Sequence, residues 1–260
     1  MDNREAGRYW NDVAEAWTAL TRAGFDVFRD GLNTPAFFST IPDLRGLKGA
    51  DIGCGEGHNT RLLAEKGAQL QAIDISEIFI SHAKATEMAS PLGIQYQVAS
   101  ATALPFGEEQ FDFATSFMCL MDMPDPELAL LEAFRVLKPG GFLQFSITHP
   151  CFDNIARKSL RDEHGMIHAI QLGPYFQTVN GELFEWTFND LTEEWKHRYQ
   201  KFKVPYFNKT LTEWVNAIMA AGFAIEMINE PKATDEAVKK YPLLRDAQSF
   251  AYFMHFRCRK

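Results

Sequence analysis

Short apolar runs alternate with helical periodicity between residues 50 and 147 of this 260-residue chain. The runs predict five strands, at residues 50–52, 70–73, 94–98, 111–117 and 142–147. Strands that alternate with helices are typical of βαβ units, which build a mainly parallel sheet with helices on both faces. The pattern therefore predicts a doubly wound α/β fold.

The last fifty or so residues extend this sheet. Thr210 and Glu213 fit a capping box at the start of a helix that stops at Gly222. Two more strands are predicted at residues 223–228 and 250–257, so the predicted sheet has seven strands. The sequence of residues 1–45 predicts helices that precede the sheet.

Composition narrows the classes of function. The chain has a net charge of -8, a pI near 5.4 and no cluster of Lys and Arg, so we expect no nucleic acid partner. No apolar run approaches the roughly 20 residues of a spanning helix, and the first residues are charged and aromatic where a signal peptide would be apolar. We expect no integral membrane segment and a cytoplasmic location.

The cysteines and histidines predict no metal or disulfide framework. The four cysteines are far apart and form no C-x-x-C pair. His164 and His168 are four residues apart, but Gly165 between them disfavours the helix that would make them a ligand pair.

A glycine-rich segment, D-I-G-C-G-E-G at residues 51–57, stands where the first strand turns into a helix. Its glycines allow a tight turn and a close approach of the backbone to a ligand. A dinucleotide pattern would need a third glycine at position 58, which is His58. Asp51 would repel a pyrophosphate but attract the ammonium group of an amino-acid ligand. Asp74, which ends the second strand, is placed to accept both hydroxyls of a ribose.

The chain resembles the class I S-adenosylmethionine-dependent methyltransferases of the type 11/25 domain group, which includes the ubiquinone and menaquinone methyltransferases. The resemblance covers residues 46–150. Its motifs, in order, are D-I-G-C-G-E-G at 51–57, A-I-D-I-S at 72–76, L-P-F at 104–106, F-D at 111–112 and R-V-L-K-P-G-G at 135–141. The resemblance implies a Rossmann-like core, S-adenosyl-L-methionine as cofactor and S-adenosyl-L-homocysteine as product.

The resemblance also implies cofactor-binding roles along one edge of the sheet. The implied residues are Asp51, Gly53, Cys54, Gly55, Phe117 and Met118 for the methionine part and the reacting methyl group, Asp74 for the ribose, Ile75, Ser100 and Ala101 for the adenine, and Tyr9 and Trp17 in a leading helix that closes over the cofactor. Many relatives have Asp where this chain has Ser100, so a hydroxyl would replace a carboxylate there. Structural roles stay open for some of them, because Asp74 could cap the next helix with Ser76 and Cys54 could be a small filler.

Residues 148–209 are aromatic and irregular, and they are too many for a simple connection in a compact α/β domain. We expect a cap that covers the acceptor, although aromatic residues at this density also form small cores of their own. The predicted division is an N-terminal helical lid at 1–45, the cofactor-binding core at 46–147, the cap insertion at 148–209, and a C-terminal helix with the last two strands at 210–260.

Two ionisable residues follow strands of the core and are candidate catalytic residues. Asp122 follows the fourth strand and His149 the fifth, where ligands bind in open α/β sheets. His149 could be a general base or a hydrogen-bonded loop histidine, and Asp122 could be a turn residue.

These features predict a methyltransferase that acts on a small-molecule acceptor, apolar or aromatic, at oxygen, nitrogen or carbon, as a monomer or homodimer. A non-catalytic protein that binds S-adenosylmethionine or S-adenosylhomocysteine is the alternative. A nicotinamide oxidoreductase is disfavoured by Asp51 and the glycine spacing.

Overall fold

The computed structural model describes residues 1–163, 165, 167–189 and 191–260. The strands are β1 (Lys48–Ile52), β2 (Gln69–Asp74), β3 (Gln95–Val98), β4 (Phe111–Phe117), β5 (Leu137–Thr148), β6 (Lys158–Arg161), β7 (Ile167–Gln171), β8 (Asn180–Trp186), β9 (Phe202–Phe207), β10 (Ala224–Asn229) and β11 (Phe253–Arg259). The α-helices are α1 (Asn3–Arg22), α2 (Thr34–Thr40), α3 (His58–Glu65), α4 (Glu77–Ala89), α5 (Pro126–Val136), α6 (Glu193–Arg198), α7 (Leu211–Ala220) and α8 (Asp235–Lys240). A π-helical turn at Arg29–Asn33 and 3₁₀ turns at Leu120–Asp122 and Pro242–Gln248 complete the regular structure.

Seven strands form one twisted sheet in the order β10-β11-β5-β4-β1-β2-β3. The five strands from β5 to β3 are parallel to one another, and β11 runs antiparallel to both β5 and β10. The strand order reverses between β1 and β4, so the loops after these two strands diverge and leave a crevice at their carboxyl ends. The predicted doubly wound, seven-stranded α/β fold is confirmed.

Apolar side chains fill both faces of the sheet, which explains why helices cover each face. On one face Phe145 stacks on Phe256 and packs beside Trp214 of α7, while on the other Phe113 stacks on Phe142. The strands β4 and β5 are buried on both faces for most of their length, as expected for the centre of a parallel sheet.

The residues at the starts of α4, α5 and α7 differ in whether their side chains cap the helix. Ser76 caps α4 and the Thr210–Glu213 capping box starts α7, as predicted. Asp125 stands at the N-cap position of α5, but its side chain does not cap that helix. Instead its Oδ2 accepts a hydrogen bond from Nδ2 of Asn3 at 2.8 Å, so it ties α1 to the start of α5.

Residues 148–209 contain more regular structure than the irregular segment that the sequence predicted. The segment contains two antiparallel hairpins, β6–β7 and β8–β9, and α6 lies in the connection between β8 and β9. The second hairpin packs on α1, where Trp17 lies at ring distances of 5.1–5.4 Å from Trp186, Phe188 and Phe202. The cap and the N-terminal helix therefore share one aromatic core. The functional division of the chain into four parts stays a prediction.

Within the described ranges, no helix is both long enough and apolar enough to cross a membrane.

Candidate active site

A cavity of about 980 Å³ lies at the carboxyl ends of β1, β2, β4 and β5. Its volume is near the upper end of the roughly 300–1,000 Å³ that small-molecule sites span. The glycine-rich loop forms one side, α1 and the turn at residues 26–33 form another, and the cap closes the top. The crevice at the strand-order reversal therefore continues into a space beneath the cap.

The glycine-rich loop has a backbone that other residues adopt with difficulty. Gly53 and Gly55 have φ angles of 75° and 54°, in the left-handed region. At Gly53 an added Cβ would also collide with the side chain of Cys119. This tight turn brings the loop backbone to the cavity surface.

Asp51 lies one residue before the end of β1 and lines the cavity, and two hydroxyl groups hold its carboxylate. Thr60 Oγ1 donates to Oδ2 at 2.6 Å and Thr115 Oγ1 donates to Oδ1 at 2.8 Å. Burial raises the pKa of Asp51, and the two hydroxyl bonds act in the opposite direction. The carboxylate is therefore fixed in orientation beside the glycine-rich loop.

Asp74 ends β2 on the same edge, and backbone groups orient both of its oxygens. The Gly55 N–H donates to Oδ2 and the Ser76 N–H donates to Oδ1, each at 2.9 Å. Burial raises the pKa of Asp74 to about 6 against these bonds. The side chain lines the cavity while it also orders the start of α4, so the ligand-binding and structural interpretations are compatible.

The expected adenine-side residues Ile75, Ser100 and Ala101 line the cavity. Ser100 Oγ lies 2.9 Å from Thr102 Oγ1, so the two hydroxyls form a pair on this wall. Helix α1 approaches closely here, because a Cβ added to Gly7 would lie 2.7 Å from Cδ1 of Ile75. Gly7 thus permits α1 to pack over this end of the cavity.

Phe117 and Met118, at the end of β4, also line the cavity. Met118 has a φ of 52°, a left-handed conformation that costs a residue with a Cβ about 1 kcal/mol or more. Its N–H donates to the Ser146 carbonyl at 2.9 Å. Cys54 lines the cavity as well, and burial raises the pKa of its thiol, so the thiolate is disfavoured.

Helix α1 contributes one of its two expected residues to the cavity lining. Trp17 lines the cavity, but Tyr9 does not, and Trp10 takes that place one residue further along the helix. Neighbouring side chains point roughly 100° apart around an α-helix. Trp10 therefore faces the cavity and Tyr9 faces away from it.

Asp122 lines the cavity in the 3₁₀ turn after β4. Burial raises its pKa well above the usual range, and the charge of Asp153 adds to that shift. Asp153 lies beside it on the cap side, where Tyr206 donates its hydroxyl to Oδ2 at 3.4 Å. Burial raises the pKa of Asp153 too. Two carboxyl groups with weakened acidity therefore face the same region.

His149 lies outside the cavity lining, although the sequence placed it beside the cofactor. Its Nε2 is 2.6 Å from Glu230 Oε1, and its Nδ1 accepts the Cys151 N–H at 3.1 Å. Both ring nitrogens are thus engaged at the back of the loop after β5. This geometry favours the alternative of a hydrogen-bonded loop histidine. The companion pattern of His164 and His168 cannot be placed, since His164 lies outside the described residues.

A matched family model and one solved structure show what this chain is similar to. Residues 50–145 match the family described as "Methyltransferase domain". The crystal structure of an S-adenosylmethionine-dependent methyltransferase from Mesorhizobium loti superimposes with a TM-score of 0.71 at 25% identity, over 87% of this chain and 96% of that one. Residues 50–145 form a methyltransferase domain.

Curated relatives of this chain match it mainly in the core. The ubiquinone biosynthesis O-methyltransferase of Pseudomonas fluorescens SBW25 is 35% identical over 105 residues, which are 40% of this chain and 45% of that protein. The protein of the same name from Coxiella burnetii Dugway is 29% identical over 174 residues, 67% of this chain and 63% of that protein. The chain thus spans less than half of the length of the first relative and under two thirds of the second.

The residues that line the cavity suit S-adenosylmethionine. Asp51 and Asp74 place carboxylates on either side of the glycine-rich loop, and residues 51–57 of this loop include no basic side chain. This charge distribution favours an ammonium group and ribose hydroxyls over a pyrophosphate. The cofactor of the family therefore fits the residues that are present.

Asn33, Asp153 and Arg157 are among the cavity residues that the sequence did not predict. Asn33 is buried, and its Oδ1 accepts hydrogen bonds from Ser146 and His255 while no described residue bonds to its Nδ2. None of the three belongs to a short motif, and each reaches the cavity from a segment outside the core. Only the tertiary structure brings them together.

Proposed function

We propose that the protein transfers the methyl group of S-adenosylmethionine to a small-molecule acceptor that lies between the sheet and the cap. The observation that carries this proposal is the continuity of one cavity from Asp74 and the glycine-rich loop to Trp186 and Tyr206 of the cap. A site for a cofactor alone would not need the second region.

The cofactor end binds and orients. In the proposal, Asp51 and the loop at Gly53 and Gly55 hold the methionine part, Asp74 accepts the ribose hydroxyls, and Ile75 contacts the adenine. S-adenosylmethionine supplies, when bound, a methyl group activated by a sulfonium. The left-handed Met118 and its neighbour Phe117 would then line the region where the acceptor is aligned, and alignment is the main contribution that the protein can make to a displacement.

The acceptor end is largely aromatic. The cavity wall includes the rings of Phe184, Trp186 and Phe188. These rings would make favourable apolar contacts with an apolar or aromatic acceptor. Packing of the hairpin on α1 would exclude water from this region, which protects the reaction from competing hydrolysis.

Asp122 is the proposed general base. A carboxylate with a raised pKa is a stronger base than an exposed one, and it lies in the cavity wall. It would accept the proton of an acceptor hydroxyl or amine and hold it on its own oxygen. His149 is not assigned this step, because its ring lies behind the wall and both nitrogens are engaged.

Two measurements test the proposal. Thermal shift should show stabilisation by S-adenosylhomocysteine and none by NAD, since a ligand at 100 times its dissociation constant adds about 2.7 kcal/mol. Small-molecule pools should then be screened for labelled product with a methyl-labelled cofactor. Stabilisation without transfer to any pool would support the non-catalytic alternative, and no stabilisation would reject cofactor binding.

A further inference from the structure

Arg157 lines the cavity, and two nitrogens of its guanidinium group have no hydrogen-bond partner among the described residues. It lies in the cap, in the loop that leads from β5 to β6, and it lines the cavity. Its guanidinium carbon stacks 4.5 Å from the ring centroid of Tyr252. Its Nε and Nη2 atoms are buried, and no described residue accepts a hydrogen bond from either of them.

Nε and Nη2 form the edge with which an arginine binds both oxygens of a carboxylate. Two other arginines of this chain show the arrangement. Arg135 donates from Nε and Nη2 to the two oxygens of Glu132 at 2.6 and 2.7 Å. Arg259 does the same to Glu226 at 2.7 and 2.8 Å. The chain therefore uses this edge repeatedly for carboxylates, and in Arg157 the same edge is unpaired.

An unpaired guanidinium edge is costly when it is buried. Each buried donor without an acceptor costs about 1–3 kcal/mol, and more when it belongs to a charged group. Stacking on Tyr252 partly offsets the cost of burying the charge, but neither Nε nor Nη2 has an acceptor among the described residues. Asp153 is close enough for the charge of Arg157 to lower its pKa, yet it does not accept from Nε or Nη2.

We infer that Arg157 binds a carboxylate group carried by the acceptor. This inference rests on the proposed function, and it narrows the acceptor to an organic acid with an apolar or aromatic body. The acceptor is a better source of that carboxylate than the cofactor, because Arg157 belongs to the cap. The glycine-rich loop has a different guanidinium nearby, that of Arg29, whose Nη1 is 3.9 Å from Glu56 Oε1.

The test is calorimetry on the full chain saturated with S-adenosylhomocysteine. The probes are three acids, each with its neutral amide: 4-hydroxyphenylacetate, 3-phenylpropanoate and octanoate. At least one acid should bind about tenfold more tightly than its amide, as expected for a charge-assisted bidentate contact. The ratio should fall to about one in Arg157→Met, which keeps the length of the side chain, and should be intermediate in Arg157→Lys, which keeps the charge without the fork.

Lys158→Met is the matched control, because it removes a neighbouring positive charge from an exposed side chain that does not line the cavity. It should retain the wild-type ratio. A structural role of Arg157 on Tyr252 would lower the melting temperature without changing the ratio. The inference is overturned if no acid is preferred over its amide, or if Arg157→Met retains the preference.

The same titrations separate this inference from the proposed function. The dissociation constant of S-adenosylhomocysteine should stay within about twofold in every variant. A loss of about tenfold in Arg157→Met would assign the guanidinium to the carboxylate of the cofactor and reject the acceptor assignment. Failure of the wild type to bind S-adenosylhomocysteine would reject the proposed function itself, whereas intact binding without acid preference would reject only the role of Arg157.

Discussion

The Nε2 atom of His255 in β11 lies 2.7 Å from the Oδ1 atom of Asn33, in the turn that covers the cavity. On the other side of the ring, the Asn229 side-chain amide donates to Nδ1 at 3.4 Å, so the proton of the neutral imidazole is on Nε2. Ser146 donates to the same Oδ1 at 3.0 Å. The amide of Asn33 therefore has one fixed orientation, with its oxygen toward the sheet.

This arrangement predicts a pH-dependent stability. Burial lowers the pKa of His255 from 6.5 to about 4. The unfolded chain then takes up a proton between pH 6.5 and 4 that the folded chain does not, so the free energy of unfolding should fall as the pH drops through this window. His255→Gln should remove roughly 2–3 kcal/mol of that decrease between pH 7.5 and 4.5. Urea unfolding at the two pH values measures it.

Two buried carboxyl groups change the free energy of unfolding with pH in the opposite direction to His255. Burial raises the pKa of Asp26 and of Asp74 to about 6, so each favours the folded state as the pH falls below 6. His255→Gln leaves these contributions in place. An identical pH dependence in wild type and variant would show that His255 ionises in the folded protein as readily as in the unfolded chain.

Asp74→Ala should weaken binding of S-adenosylhomocysteine by roughly 1.5–3 kcal/mol, because a carboxylate that accepts hydroxyl bonds makes a charge-assisted contact. Calorimetry measures this, with the exposed Asp43→Ala as the control. Wild-type affinity should also weaken as the pH falls through about 6, where Asp74 becomes protonated. A folded Asp74→Ala protein with unchanged affinity would remove this residue from the ribose.

Asp122→Asn should lower kcat by about 10²–10⁴-fold with little change in the dissociation constant of S-adenosylhomocysteine, if Asp122 accepts the acceptor proton. Asp125→Asn, three residues further along and outside the cavity lining, is the control and should retain turnover. The assay uses the acceptor found by the labelled-methyl screen. Equal kcat values for wild type and Asp122→Asn would end the assignment.

His149→Gln should lower stability by roughly 1–2 kcal/mol, since a glutamine cannot reproduce both bonds of the ring. Turnover and its pH profile should persist, because the imidazole lies outside the cavity lining. The comparison requires the melting temperature and kcat across pH 5–9 for the same preparation. If instead kcat collapsed while the melting temperature held, His149 would return as the general base.

Tryptic cleavage at the cap lysines, such as Lys158 and Lys203, should slow when S-adenosylhomocysteine binds, because Trp17 and Trp186 line the cavity and ligand contact would hold the cap against α1. Cleavage after Lys84, exposed on α4 of the core, provides the reference rate. A cap that is cut equally fast with and without ligand would be a fixed part of the fold and not a closing element.

Local patterns predicted the sheet because each of its strands has its own apolar run and its own turn signal. The glycine-rich loop and Asp74 were predicted for the same reason: the strand, the turn and the acidic residue are adjacent in sequence. The hairpins of the cap were missed because one strand of each, β6 and β8, is largely exposed and lacks an apolar alternation. Helix α8 and the 3₁₀ turn after it were likewise not predicted.

The acceptor end of the cavity depends on long-range packing, which sequence spacing does not encode. Asn33 meets Ser146 and His255 across more than a hundred residues. The Nε and Nη2 atoms of Arg157 have no hydrogen-bond acceptor among the described residues, and only the three-dimensional structure shows this. The inner face of α1 was misjudged at Tyr9 because the helix rotation depends on Gly7 packing against Ile75.

The aromatic core shared by α1 and the cap has a consequence for biosynthesis. Trp17 leaves the ribosome early, but Phe202 follows only after roughly 180 further residues, which take about 10–40 s at ordinary elongation rates. During that interval the apolar stripe of α1 lacks the surface that covers it in the finished protein. A chaperone that binds this stripe during synthesis would therefore protect the chain from aggregation until the cap is complete.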